Sequence, residues 1–303
     1  MSKLGNRQYR IKNSLSDRTF NIVLLVIVTI WMLIVLYPII YVVSSSFSSG
    51  EAVSTGKVLF WPVNFSLVGY ELVLQNSSVW TGYANTIFYT ILGTTLNVVM
   101  TILCAYPLSR SNYQGRKFFS LYYTIPMYFG GGLIPTYILI SQLGLVNTRT
   151  FMVITGALGF GNMIIMRTAF KSNVPSELLE SAKMDGISDI GYLLKILLPL
   201  SKATISVIAL YYMVDRWNTY FIGLVYLRDR DKYTLQMVLK EILSAAQVDA
   251  STFTDPTILA KMAGSTDVMK YALIVVASVP MLIVYPFIQK FFEKGVMIGS
   301  VKG

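Results

Sequence analysis

The chain of 303 residues is 54% hydrophobic and only 13% charged, with a formal net charge of +10 and a mean hydropathy of +0.58. Soluble domains carry about 25% charged residues, so this chain lacks the polar surface to cover a water-soluble core, and a membrane protein is expected. With no histidine and one cysteine, Cys104, a histidine-based triad, a histidine-ligated metal and an intramolecular disulfide are excluded.

The 25 Lys and Arg against 15 Asp and Glu are scattered between apolar runs. That pattern speaks for membrane-flanking charge and against a nucleic-acid stripe. A helix rises about 1.5 Å per residue, so roughly 20 apolar residues cross the ~30 Å hydrocarbon layer. Six segments qualify, and an all-α polytopic membrane protein with six transmembrane helices is expected. The first, 22–43, is too long for a secretory signal and lacks a small-residue cleavage site. Pro38 inside it removes a backbone donor and should kink it. The second, 84–108, and the third, 118–140, contain no charged residue. The third carries Pro126, Gly130, Gly131, Gly132 and Pro135, which should break or bend a helix. Either the helix ends at Gly130, or unwound backbone lines a cavity that satisfies it. The fourth candidate, 150–166, lies between Arg149 and Arg167.

The next stretch, 171–202, reads as a short helix, a glycine stop and a second helix. Pro175 suits a first helical turn, Glu177 favours the positive helix end, and Gly186 can take the left-handed conformation that closes a helix. Ser188 or Asp189 can cap the second helix, whose Ile190, Leu193, Leu194 and Leu197 repeat at helical spacing.

The fifth span, 203–227, holds Asp215 and Arg216 near its middle, where ionisable groups are costly and by default functional. As sequence neighbours they point about 100° apart and cannot pair face to face. Two readings stand: a polar translocation path in which Trp217 and Asn218 offer an aromatic face and an amide to sugar hydroxyls, or a structural interhelical pair. Beyond it, Leu235, Val238, Leu239, Ile242 and Ala246 mark an amphipathic helix that packs against a partner chain or lies on the membrane. The sixth span is 271–289, without charge until Lys290.

The positive-inside rule sets orientation from Lys and Arg. A cytoplasmic N-terminus places 15 of them inside and eight outside, six of the eight within the 43-residue loop 228–270, where six acids match them. Both termini are therefore expected in the cytoplasm, with a cytoplasmic segment 1–21, a membrane domain 22–291 and a tail 292–303.

The order Glu180-Ser181-Ala182, two residues, Asp185-Gly186, then Ile196-Leu197-Leu198-Pro199 resembles the EAA signature of permease subunits in binding-protein-dependent ABC importers. Ser181 and Ile187 stand where the family commonly has alanine, and Leu193 where an aromatic is common. Asn85-Thr86, the run Ala105 to Arg110, Trp217-Asn218 and the ending from Lys294-Gly295 to Gly303 are similar to sugar-importer permeases related to the maltose system. Gly131 to Pro135, Asn162 to Thr168 and Tyr226 to Asp231 resemble the branch for complex oligosaccharides, including pectin- and alginate-derived ones. The resemblance implies a cytoplasmic coupling helix in the loop 171–202, seated in a cleft of an ATPase subunit. Glu180 would meet basic groups there, Ala182 would permit close approach, Asp185 would cap locally and Gly186 would make the bend. It also implies a second permease, two ATPase subunits, an extracellular sugar-binding protein and a bacterial inner-membrane location. ATP with Mg would be held by the ATPases, leaving this chain without catalytic, metal or cofactor residues. The tail after Lys290 would reach toward the ATPase dimer. Asp215 and Arg216 gain no role from the resemblance. A secondary transporter driven by ion gradients is the alternative, but no internal inverted repeat is evident. An intramembrane enzyme would need Asp215, serines or tyrosines to work without histidine.

Overall fold

The computed structural model describes residues 15–172, 174, 176–249 and 256–300. The basic residues Lys3, Arg7, Arg10 and Lys12, the first-turn Pro175 and the end of the tail at 301–303 lie outside the described residues. Among those described, the chain is helical with no strand: α1 (Leu15–Ser46), α2 (Gly50–Ser54), α3 (Val68–Gln75), α4 (Ser77–Ser109), α5 (Arg116–Tyr128), α6 (Leu133–Gln142), α7 (Arg149–Ile154), α8 (Phe160–Ser172), α9 (Ser176–Met184) and α10 (Asp189–Tyr192). A π-helical turn (Leu193–Leu197) then runs into α11 (Leu198–Leu200), followed by α12 (Lys202–Trp217), α13 (Phe221–Tyr226), α14 (Leu235–Asp249) and α15 (Pro256–Ser300).

Three of the six expected spans are continuous helices long and apolar enough to cross a membrane, within α1, α4 and α15. The other three are interrupted. The third breaks after Tyr128 and restarts at Leu133, with Gly132 at φ +81°. Its glycine cluster thus interrupts the helix instead of ending it. The fourth is split into α7 and α8 around Gly156 (φ +61°). The fifth ends as a helix at Trp217 and resumes at Phe221. Asp189–Leu200 meets Lys202–Trp217 at 83°, and this pair could together make a fourth crossing.

The chain forms two compact units. In residues 1–69 with 254–272, Ala52, Val53, Val58 and Val268 form a small core. In residues 70–253 with 273–303, α4 is the central post. Its inward face carries Thr86, Thr90, Gly93, Asn97, Thr101, Ala105 and Leu108, a run with the spacing of one helix face. The face is small and polar at its start and apolar at its end, where Ala105 and Leu108 enter a cluster with Met163, Phe170, Tyr192 and Leu197. That end supports the elbow formed by α9 and α10.

Candidate functional site

The elbow is built as its sequence dictates. Helix α9 begins with Glu177 in its first turn and ends with Lys183 in its last, each sign opposing the helix dipole. Gly186 takes φ +73°. The Gly186 N–H donates to the Lys183 carbonyl at 3.0 Å and the Ile187 N–H to the Ala182 carbonyl at 2.9 Å, the paired closure of a Schellman stop. Ser188 then caps α10, its hydroxyl oxygen accepting from the Gly191 N–H at 3.2 Å.

Glu180, Ser181 and Asp185 are exposed on this elbow. Ala182 is not: at 3% exposure it packs into the core beside Leu108, Phe170, Val174 and Tyr192. The close approach it permits is that of α9 to its own chain. The expected apolar stripe also divides, with Leu193 and Leu197 buried and Ile190 and Leu194 exposed. The π-helical turn at Leu193–Leu197 widens the spacing and shifts which residues face inward. Glu180 and Glu177 line a cavity of about 660 Å³ whose wall includes Arg110, Arg116, Lys171 and Lys183.

The second constellation surrounds Arg216, which is 6% exposed. Its Nε donates to Asn97 Oδ1 at 3.0 Å, Nη1 to the Met152 carbonyl at 2.8 Å, and Nη2 to the carbonyls of Val153 (3.2 Å) and Thr155. These carbonyls belong to the end of α7 and the unwound link that follows it, where helical donors run out. The Asn97 amide donates to the Gly156 carbonyl. Tyr212 Oη accepts from the Gly159 N–H at 2.9 Å and shares a hydrogen bond with Thr101 at 2.8 Å. Side chains of α4 and α12 thus satisfy a break that hydrocarbon could not tolerate.

Asp215 and Asn218 are exposed, while Trp217 is buried. The Trp217 indole donates to the Ala277 carbonyl at 3.0 Å and meets the Tyr83 ring edge-on. Asp215 and Asn218 line a cavity of about 680 Å³ together with Tyr211, Gln236 and Tyr285. Asn218 is steadied by its own amide on the Val214 carbonyl at 2.8 Å. Of the four expected path residues, two therefore face open space and two hold the wall in shape.

Asn97, Thr101, Tyr212 and Tyr83 were not singled out by sequence. A signal existed: Gly93, Asn97 and Thr101 recur every fourth residue in an apolar span, a small polar stripe that marks a helix–helix interface. At the expected outer side, Asn147 adopts φ +60° and ties two loops together. Its amide donates to Asp229 Oδ2 at 2.7 Å, and its Oδ1 accepts from the N–H groups of Arg228 and Asp229. Hydrogen bonds from Lys232 and Asn147 hold the Asp229 carboxyl below its ordinary pKa, so this tie stays charged through the usual carboxylate range and is lost only at lower pH.

No family model matches the chain. Curated relatives do. The polygalacturonan/rhamnogalacturonan transport system permease protein YtcP of Bacillus subtilis (strain 168) is 36% identical over 292 residues, covering 95% of this chain and 100% of that one. Protein LplC of the same organism is 36% identical over 270 residues, covering 89% and 90%. Among solved structures, a bacterial ABC transporter involved in the import of the acidic polysaccharide alginate matches with a TM-score of 0.83 and 37% identity, over 93% of this chain and 99% of that chain. Identity of this order along nearly the whole length places the chain in the family of permease subunits of carbohydrate ABC transporters.

Proposed function

We propose that this chain forms half of the translocation path of an ATP-driven importer and carries an oligosaccharide derived from an acidic polysaccharide. Family membership sets aside the ion-gradient alternative. The uronate-containing substrates in the names of the relatives support the substrate class. The chain itself makes and breaks no covalent bond. ATP with Mg is held by two cytoplasmic ATPase subunits, the other half of the path is a second homologous permease, and an extracellular sugar-binding protein delivers the cargo. Both termini lie in the cytoplasm of a bacterial cell, and the elbow between α8 and α12 is the coupling element.

The observation that carries the coupling role is the left-handed Gly186, which closes α9 and turns the chain into a capped α10 while leaving Glu180 exposed. Such a rigid, outward-pointing bend can enter a cleft and be dragged by it. Asp215 and Asn218 are the groups offered to passing hydroxyls, and Arg216 and Trp217 fix the wall behind them. The test is uptake into proteoliposomes holding the assembled transporter. Gly186→Val forces a β-branched residue to positive φ at a cost of about 1–3 kcal/mol. It should leave ATP hydrolysis running while oligogalacturonide uptake per ATP falls roughly tenfold. Coupled uptake at the unmodified level would overturn the role of the bend.

A further inference from the structure

The elbow touches the membrane bundle where α4 ends. The Arg110 guanidinium lies 4.7 Å from the centroid of the Tyr106 ring and 4.9 Å from that of Tyr192. Tyr106 belongs to the last turn of α4 and Tyr192 to the end of α10. Tyr106 Oη also donates to the Asp189 carbonyl at 3.0 Å, in the first turn of α10. Nearby, Arg167 Nε of α8 donates to the Leu108 carbonyl at 2.9 Å.

Arg110 lies over two ring faces, and two of its three guanidinium nitrogens find no acceptor. Its Nε and Nη2 are buried with no hydrogen-bond acceptor among the described residues, and the Tyr192 hydroxyl is likewise buried and unpaired. A planar cation on aromatic faces is stabilised by the ring quadrupole, and guanidinium presents two flat faces where an ammonium presents none. We propose that Arg110 is a positioning residue, a clamp between Tyr106 and Tyr192 that fastens the elbow to the cytoplasmic end of α4. α4 carries Asn97, the partner of Arg216, twelve residues earlier than Ser109. Movement imposed on α10 therefore reaches the satisfied break between α7 and α8 through one stiff helix. This inference rests on the coupling role of the elbow.

The chemistry makes a specific demand. Tyr192→Phe keeps the ring face and removes an unpaired hydroxyl, so it should behave as the unmodified chain. Tyr192→Leu and Arg110→Ala remove the clamp, and Arg110→Lys should fall between. The experiment uses the complete transporter in nanodiscs, with Cys104 replaced by Ser and spin labels at Met184, which is 89% exposed, and at exposed Asn112. Distances are read without nucleotide and with ATP, Mg and vanadate. The unmodified clamp and Tyr192→Phe should give one narrow distance in each state, whereas Arg110→Ala and Tyr192→Leu should give broad distributions and a roughly fivefold or greater loss of ATP-coupled uptake.

A cysteine at Glu180, crosslinked to the ATPase, separates the two layers of inference. If the crosslink forms and Arg110→Ala keeps narrow distances and full uptake, the clamp is overturned and the elbow stands. If no crosslink forms in the unmodified transporter, the coupling role of the elbow falls, and the clamp with it. Equal loss in Tyr192→Phe would overturn the ring-face contact, even where Arg110→Ala does not fold.

Discussion

Arg216 and Asp215 are adjacent, yet the backbone separates their fates. Arg216 turns inward to three carbonyls and the Asn97 side chain, while Asp215 faces a cavity. Leaving a buried acceptor without its donor costs about 1–3 kcal/mol, and Arg216→Met would strand several. The purified protein should unfold well below the unmodified melting temperature, with Arg216→Lys between the two because one ammonium cannot span the same acceptors. Asp215→Asn should leave melting unchanged and alter the preference between charged and neutral oligosaccharides. A melting shift in Asp215→Asn as large as that of Arg216→Met would contradict this division. Gly93 adds a constraint of the same kind, since a Cβ there would lie 2.8 Å from Arg216 Nε, a group already pinned.

Helix α15 shows how an element is braced against its own sequence. Pro280 has no N–H, so the Val276 carbonyl lacks the donor that α-helical geometry would supply four residues on. Tyr83 Oη of α4 donates to that carbonyl, and the Trp217 indole of α12 donates to the next, at Ala277. Tyr83→Phe should therefore destabilise the bundle by about 1–2 kcal/mol. In a Pro280→Ala background, where the backbone donor returns, the same change should cost little. Denaturant unfolding of the four variants gives this cycle directly, and strict additivity of the two substitutions would refute the brace. The expected outer amphipathic helix is present as α14. Leu235, Met237 and Val238 are buried on it, and the Leu235 N–H donates to Thr86 Oγ1 at 2.8 Å, so its start packs on α4 of its own chain, where the sequence pointed to a partner chain or the membrane.

For the whole molecule the question is which of the interrupted segments cross. If each crosses once, the topology that the distribution of Lys and Arg favours, single cysteines in a Cys104→Ser background should label by side. Asn112 and Met184 should react from the cytoplasm, and Gly144 and Arg230 only from outside. Labelling of Asn112 and Gly144 from the same side would remove the third crossing and reduce the count of six.

Much of this architecture was written in one dimension. Apolar runs of sufficient length and the helix-breaking glycine cluster at 130–132 are local features set by sterics and by the cost of backbone in hydrocarbon. Whether that cluster ended its helix or interrupted it was open, and the spacing from Glu180 to Pro199 gained its meaning from a family resemblance. The positive φ of Gly186 and the Ser188 cap follow from the same local chemistry. What the sequence left open was the partner of each polar group inside the membrane. Arg216 could serve a path or a joint, because the acceptors that decide the matter lie 119 residues away at Asn97 and about 61–64 away at Met152, Val153 and Thr155. The inward turn of Ala182, the split of the apolar stripe at the π-helical turn and the Arg110 clamp have the same origin. A side chain's solvation is settled by what folds against it, and only tertiary packing supplies that.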